Sequence, residues 1–528
     1  MSFAELLTGN RLVRKAADTM LARFSRKRTL YLDRTDPAEL QNRTLMELVH
    51  RAKGTKFGRE HGFESIATVA DYQARVPVRD YEAFWNDYWQ PVFPRLENVT
   101  WPSRIPYYAL SSGTTSGTTK FVPISNEMLK SNRKAAFTTL AFFRHQHPDI
   151  PLFNGRVFFL GGNTGMTPQA DGSRAGDLSA IAAVELSSLL RPYTFPSLEL
   201  SRIPDWEMKV QALAEGSANL PITIISGVPS WLLVLFDRLK KVTGKSTLAE
   251  IWPTLRVIIH GGTKFDPYRD IFRKEIGSDK VCCLEVYPCS EGFIATEDPR
   301  YDMLRIVPDH GVFFEFVPME EFQEGHGKLK SNRPVRHTLA NVETGVQYAV
   351  LVTSCAGLWS YLIGDTIAFE KRNPPLIRFT GRTKYFLSAF GEHLISEEIE
   401  KAVAFAARET GSEVQDHHVG PVFPTEPTKP GHHLYLIEFR RQPSDMARFE
   451  VLLDEELCRL NEDYLAHRKG DLTMLRPVAL EVKPGGLGAW LRARPNFSPQ
   501  HKVPRMDNSG KLTATMRDWL RENGFIAT

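Results

Sequence analysis

Between residues 156 and 287 short apolar runs alternate with helical patterns, and this alternation limits the possible folds more than any other feature of the chain. The runs are "RVFFLGG" (Arg156–Gly162), "ITIISG" (Ile222–Gly227), "LRVIIHGG" (Leu255–Gly262) and "KVCCLEVY" (Lys280–Tyr287). Each is short, continuous and rich in β-branched or apolar residues, the form of a strand covered on both faces. Between two of them, "PSWLLVLFDRLKKVTGK" reads as a helix that Pro229 and Ser230 open and Gly244 closes. Strand, helix, strand in that order predicts an α/β fold with a mostly parallel sheet.

After residue 300 the texture changes. "GVFFEFVP" (Gly311–Pro318), "VQYAVLVTS" (Val346–Ser354) and "LWSYLIGDTIAFE" (Leu358–Glu370) come with turns and few helices, which predicts an antiparallel sheet or barrel attached to the α/β layer. "ISEEIEKAVAFAARETG" (Ile395–Gly411) then reads as an amphipathic helix with Ser396 as its N-cap and Gly411 as its terminator. The strand-like "HHLYLIEF" and the helical "FEVLLDEELCRLNEDYLAHR" follow. A chain of 528 residues is long enough for two or more domains. The boundary is placed near "TGRTKY" (Thr380–Tyr385), giving a large N-terminal domain over 1–382 and a smaller α+β domain over 383–528.

Composition narrows the function classes. A net charge of +4 over this length lacks the basic excess of a dedicated nucleic-acid binder. Five cysteines, none in a CxxC pair, fit thiols of a reducing compartment better than a disulfide framework or a zinc site. No apolar run reaches the roughly 18 residues of a membrane span. The basic stretch "RLVRKAADTMLARFSRKR" could touch an anionic membrane or act as a transit segment, but it reads first as an N-terminal helix packed on the body with a solvated basic face. The expected compartment is the cytoplasm. The pairs His417–His418 and His432–His433 do not point to a metal, because adjacent strand residues face opposite sides.

Four elements carry chemistry. "SSGTTSGTTKFVPIS" (Ser111–Ser125) lacks the GxxxxGK[ST] of a nucleoside-triphosphate P-loop, yet Gly113, Gly117 and Lys120 sit among eight hydroxyl residues. Glycines let successive N–H groups turn toward phosphate oxygens, hydroxyls add donors without bulk, and Lys120 adds a full charge. A Ser/Thr-rich linker is the competing reading. "EVYPCSEGF" sets Glu291 just past a buried strand, where a carboxylate could hold Mg²⁺ shared with phosphate or simply face solvent. In "YLIGDTIAFE", Asp365 interrupts an apolar run with no basic neighbour, so burial obliges it to find a donor: a structural one, or the vicinal hydroxyls of a ligand. Lys502, in "SPQHKVPRM", lies in a polar loop near the C-terminus.

Together with "SGVPSWLL", "IIHGGTKFDPYRDIF", "VTSCAGLWSYLIGDTIAFE" and "FTGRTKYFLSAFGEHLISEEIEKAV", these elements in collinear order resemble the adenylate-forming superfamily. More narrowly, they resemble the Gretchen Hagen (auxin-responsive promoter) family of acyl acid amido synthetases, along nearly the whole chain. The resemblance implies that a carboxylic acid attacks the α-phosphate of ATP to give an acyl-adenylate and pyrophosphate. An amine, usually an amino acid, then takes the acyl group and AMP leaves. It also implies a small C-terminal domain that rotates near Arg382 between the steps.

Carried over residue by residue, the resemblance assigns Ser111, Ser112, Gly113, Thr114, Thr115, Gly117 and Lys120 to the phosphate loop. It assigns Gly261, Gly262 and Thr263 to the adenine wall, and Tyr287 and Ser290 to the adenine and metal motif with Glu291 as the Mg²⁺-linked carboxylate. Asp365 becomes the ribose acid, Lys502 the basic residue that swings toward the phosphates, and Val228, Pro229, Ser230 and Trp231 the wall of the acyl pocket. The departures are Leu362 where relatives carry arginine, Cys289 where Ala or Ser is common, and His393 where many plant members have lysine. Two further readings stay open: transfer to a thiol such as coenzyme A, and a non-catalytic nucleotide or acyl-ligand sensor. Fold-level likeness does not choose the acceptor, the acid or the oligomeric state.

Overall fold

The computed structural model describes all residues except 1–10, 112–119, 162–164, 187–189, 204, 263–264, 266–267, 324–327, 384–385, 393, 427–428, 472, 495–502 and 527–528. Helices α1 (Arg11–Arg34) and α2 (Asn126–Gln146) precede the main sheet. Its first five strands are β1 (Arg156–Phe159), β2 (Thr194–Phe195), β3 (Ile222–Gly227), β4 (Val257–His260) and β5 (Cys282–Cys289), with α3 (Pro229–Thr243) between β3 and β4. Six more follow: β6 (Gly292–Asp298), β7 (Met303–Ile306), β8 (Val312–Pro318), β9 (Gln347–Ser354), β10 (Leu358–Lys371) and β11 (Leu376–Arg382). They form one eleven-stranded sheet in the order β8-β9-β10-β11-β7-β6-β5-β4-β3-β1-β2.

The β1–β5 half is parallel throughout and the rest is antiparallel. The two textures read from the sequence are therefore halves of one sheet, joined at the β5–β6 hairpin. Each of the four strands expected in the parallel half is present, within a few residues of its expected bounds. β2, only two residues long, leaves no periodicity to detect.

The local reasons are visible in α3. Pro229 occupies its first turn, where a missing N–H costs no hydrogen bond, and Gly244 ends it at φ +70°. Its buried face, Leu232, Leu235, Phe236 and Leu239, packs with Ile222, Ile225 and Ile258 of the strands. Each such side chain removed from water contributes about 2 kcal/mol.

Residues after 383 build a second layer. A three-stranded sheet of Glu413–Val422, His432–Arg441 and Val478–Val482 packs against helices Ser396–Glu409 and Met446–Leu460. Ser396 is the first helical residue and Ile395 the N-cap, one position earlier than expected. The Glu398 carboxylate accepts the Ile395 N–H at 3.0 Å, so the first turn is closed by its own glutamate and needs no hydroxyl before it. The long helical pattern after Phe449 is two helices, divided at Asn461, whose side chain caps the second by accepting the Tyr464 N–H. Among the described residues no helix is long and apolar enough to cross a membrane.

Candidate nucleotide site

A bulge in β10 creates the centre of the site. Ala349 of β9 pairs with Thr366 and Leu351 with Leu362, so three residues of β10 stand opposite one of β9. Gly364 sits at φ +89°, a conformation that side chains with a Cβ rarely adopt, and this lets the strand swell. Asp365 is thereby detached from β9 and set against Arg382, its register partner on β11.

Asp365 is buried, with an ion-pair contact at one oxygen and a hydrogen-bond donor at the other. Arg382 Nε lies 2.5 Å from Oδ1, and the Tyr287 hydroxyl donates to Oδ2 at 2.6 Å. Three strands separate β5 from β10 in the ladder, so the Tyr287–Asp365 contact requires the antiparallel half to curl toward a barrel. Burial and the adjacent Asp365 carboxylate hold the Tyr287 hydroxyl well above its usual range, so it remains a donor. The Asp365 partner absent from the sequence neighbourhood thus comes from seventeen residues downstream across the sheet.

Ser290 and Glu291 form the tight turn between β5 and β6, where Cys289 pairs with Gly292. The Cys289 thiol donates to the Gly292 carbonyl at 3.0 Å, which fixes the turn from within. Tyr361 of β10 donates to Glu291 Oε1 at 3.3 Å. Burial pushes the Glu291 carboxyl above the ordinary range; Lys120 pulls it down, Asp365 raises it further, and Arg382 lowers it. Glu291 therefore lies within the fields of three of the other predicted site residues.

Lys120 begins the strand Lys120–Ile124, which pairs antiparallel with Tyr107–Ser111, Lys120 opposite Ser111. Its ammonium stands 5.1 Å from the centre of the Tyr81 ring. Tyr81 is held in turn by accepting the Phe121 N–H at 2.9 Å. Tyr81 and Tyr361 were not singled out from the sequence. Tyr361 lies in a quoted motif, four residues before Asp365, whereas Tyr81 belongs to a helical segment with no motif of its own.

Gly261 follows β4 at a point where a Cβ would come within 2.4 Å of the Val286 carbonyl oxygen, so the strand ends are packed backbone to backbone. Gly262, at φ +86°, lies beside Val228, the N-cap of α3. Pro229 follows Val228 in the first turn of the helix.

Ser230 and Trp231 turn elsewhere. Ser230 Oγ donates to the Phe390 carbonyl at 3.3 Å, and the Trp231 ring stacks on His467 at 5.8 Å and touches Trp206 at 5.0 Å. These two residues meet the C-terminal layer and are not gathered with Asp365. The calls on Ser112, Gly113, Thr114, Thr115, Gly117, Thr263, His393 and Lys502 lie outside the described residues, as does the side chain of Ser111.

The cluster offers hard oxygen donors, an arginine, a lysine and a glycine-lined backbone edge at the carboxyl ends of β4 and β5, the usual ligand position in α/β sheets. The donor set suits a Mg²⁺ ion at Glu291: an oxygen ligand whose described hydrogen-bond donor is one long contact from Tyr361.

Comparison with known proteins gives the family of the chain. Residues 26–197 match the GH3 family N-terminal domain, 305–382 its central domain and 397–511 its C-terminal domain. A jasmonoyl–L-amino acid synthetase of Nicotiana attenuata is 20% identical, over 82% of this chain and 84% of that protein. An indole-3-acetic acid-amido synthetase of Oryza sativa subsp. indica is 22% identical, over 74% and 73%. Among solved structures, the GH3.15 acyl acid amido synthetase superposes with a TM-score of 0.57 at 18% identity, covering 95% of this chain and 96% of the other, and so shares the fold. With family domains matched in order from residue 26 to residue 511, the chain belongs to the GH3 family.

Proposed function

We propose that this protein activates a carboxylic acid with ATP as an acyl-adenylate and passes the acyl group to an amine, an amino acid by preference, forming an amide. The observation that carries the reading is the cluster that Tyr287, Asp365, Arg382 and Lys120, each from a different strand, form with Glu291 of the β5–β6 turn. In the first step a carboxylate oxygen attacks the α-phosphorus and the bond to pyrophosphate breaks. In the second the amine nitrogen attacks the acyl carbon, AMP leaves, and the amine gives up a proton.

The chain's own residues serve positioning and charge. Asp365 accepts the ribose hydroxyls while Arg382 and Tyr287 hold it in place. Gly262 leaves room for the adenine against the strand edge and Gly261 lets β4 and β5 close behind it, with Thr263 and Ser290 beside it. Lys120 and the loop of Ser111, Ser112, Gly113, Thr114, Thr115 and Gly117 take the phosphates, and Lys502 joins them from the C-terminal domain. Glu291 would hold Mg²⁺, which neutralises phosphate charge when bound.

Val228 and Pro229, next to Gly262, wall the acid side. Ser230 and Trp231 serve there only if the C-terminal layer, which they touch, contributes to the same pocket. We assign residues 1–382 to ATP and acid binding and 383–528 to the small domain. The free thiols of Cys282, Cys283, Cys289, Cys355 and Cys458 support a reducing, cytoplasmic setting.

The test is ATP–pyrophosphate exchange with Mg²⁺ and a panel of aryl, indolyl and fatty acids, followed by amino acids under mass spectrometry. Acid-dependent exchange followed by an amide product is the expected result. A thioester formed with coenzyme A instead would move the acceptor to a thiol. ATP binding without exchange for any acid would point to a sensor.

A further inference from the structure

The outward face of α1 and α2 has no part in the nucleotide site. The inward face of α1 is conventional: Leu21, Ser25 and Leu32 are buried, and Asp18 accepts the Leu152 and Phe153 N–H groups at 2.8 and 3.1 Å. The opposite face exposes an apolar row. Met20 is 71% exposed, Tyr31 42% and Phe24 40%; Phe137 of α2, 37% exposed, meets Phe24 edge to face at 6.4 Å.

Around this row the exposed charge without an ion pair is all of one sign. Lys15, Arg23, Arg26, Lys27 and Arg34 are exposed on α1, and none has an ion pair among the described residues. Lys130 and Arg133 flank Phe137 on α2 and are exposed as well. The nearby acids are already committed. Asp33 pairs with Arg300 and Arg305, Asp309 with Arg28 and Lys134, and Asp18 with backbone.

Aromatic and thioether groups held in water between unpaired cations form the pattern of a helix that lies in a lipid headgroup layer. A polyanion would engage the cations but gain nothing from Met20, Phe24 or Phe137. We infer that the α1–α2 face docks the protein on an anionic lipid surface. The apolar row enters the headgroup region while Lys15, Arg23, Lys27 and Arg133 meet acidic headgroups.

The experiment is co-sedimentation of the full chain with vesicles of phosphatidylcholine alone and with added phosphatidylserine, at low and high salt. Binding to the acidic vesicles only, weakened by salt, is the expected result. The Arg23→Glu/Lys27→Glu variant lowers the partition coefficient about tenfold or more, and Met20→Ser/Phe24→Ser lowers it comparably with every cation retained. All four positions are exposed, so both variants keep the far-ultraviolet circular dichroism and thermal midpoint of the parent. Absence of binding to acidic vesicles overturns the proposal, as does equal binding to neutral ones. Heparin binding that survives Met20→Ser/Phe24→Ser, with no vesicle binding, reassigns the face to a polyanion and overturns it too.

Discussion

Arg382 and Asp365 form an ion pair at 2.5 Å across β10 and β11, with the Asp365 side chain 6% exposed and that of Arg382 23%. The pair lies at the end of the last strand of the sheet, just before the C-terminal layer, so one contact supports both the proposed ribose acid and the end of the sheet. Removing the cation leaves a buried carboxylate with only the Tyr287 hydroxyl. Arg382→Ala is expected to lower the unfolding free energy by about 3 kcal/mol and to weaken ATP binding. Urea denaturation and ATP titration measure the two effects; wild-type values in both would remove Asp365 from its assigned role.

Lys120 is only partly buried and its described contact is the Tyr81 ring, so it contributes little to folding. Lys120→Ala is expected to keep the thermal midpoint and to slow acid-dependent ATP–pyrophosphate exchange by about 10²–10³. An unchanged exchange rate would show that the charge is not needed on the phosphates.

Glu291 titrates above the usual carboxylate range because burial outweighs the fields of Lys120 and Arg382. Mg²⁺ binds the ionised form, so the Mg²⁺ concentration needed for exchange should fall as pH rises through the raised pKa and climb below it. Glu291→Gln should abolish that pH dependence and raise the Mg²⁺ needed. A Mg²⁺ requirement that is the same at mildly acidic and neutral pH would count against Glu291 as the ligand.

Asp309 accepts from Arg28 through both oxygens at 2.6 Å, tying α1 to the sheet, and from Lys134. Although burial opposes ionisation, Arg28 and Lys134 pull its carboxyl down to about 2. The folded pKa lies below the unfolded one, so its stabilisation is complete above the unfolded value and disappears as pH falls toward 2. The contribution is roughly 2–3 kcal/mol at neutral pH. Asp309→Asn should lower neutral-pH stability by that order and flatten the acid limb of a stability–pH curve. A steep limb persisting in the variant would assign acid sensitivity to other carboxylates.

At Gly261 a Cβ would stand 2.4 Å from a backbone oxygen, which no side-chain rotation relieves. Gly261→Ala must push β4 and β5 apart, at about 1–3 kcal/mol, and is expected to displace Tyr287 and weaken ATP binding. Gly244→Ala is the control: Gly244 has a positive φ that Gly261 lacks but nothing within 4 Å, so the change strains only its own backbone and should leave ATP binding intact.

Legibility in the sequence followed the range of the interactions. The strands of the parallel half are buried on both faces and announce themselves as apolar runs. The bounds of α3 come from Pro229 and Gly244, whose backbone preferences act locally. Asp365 could be marked as needing a partner because an acid inside an apolar run is costly in any fold. That its partners are Arg382 and Tyr287 could not be read, because both contacts depend on a bulge and on the curl of the sheet.

The same division holds for the rest of the site. Collinear motifs were enough to bring out the family, since each glycine, hydroxyl or acid meets a local chemical need that survives wide divergence elsewhere. The role of Tyr81 beneath Lys120, the turn of Ser230 and Trp231 toward the C-terminal layer, and the joining of two differently textured regions into one sheet belong to tertiary structure. Each depends on which surfaces meet when distant segments bury their apolar faces, and sequence periodicity carries no record of the partner.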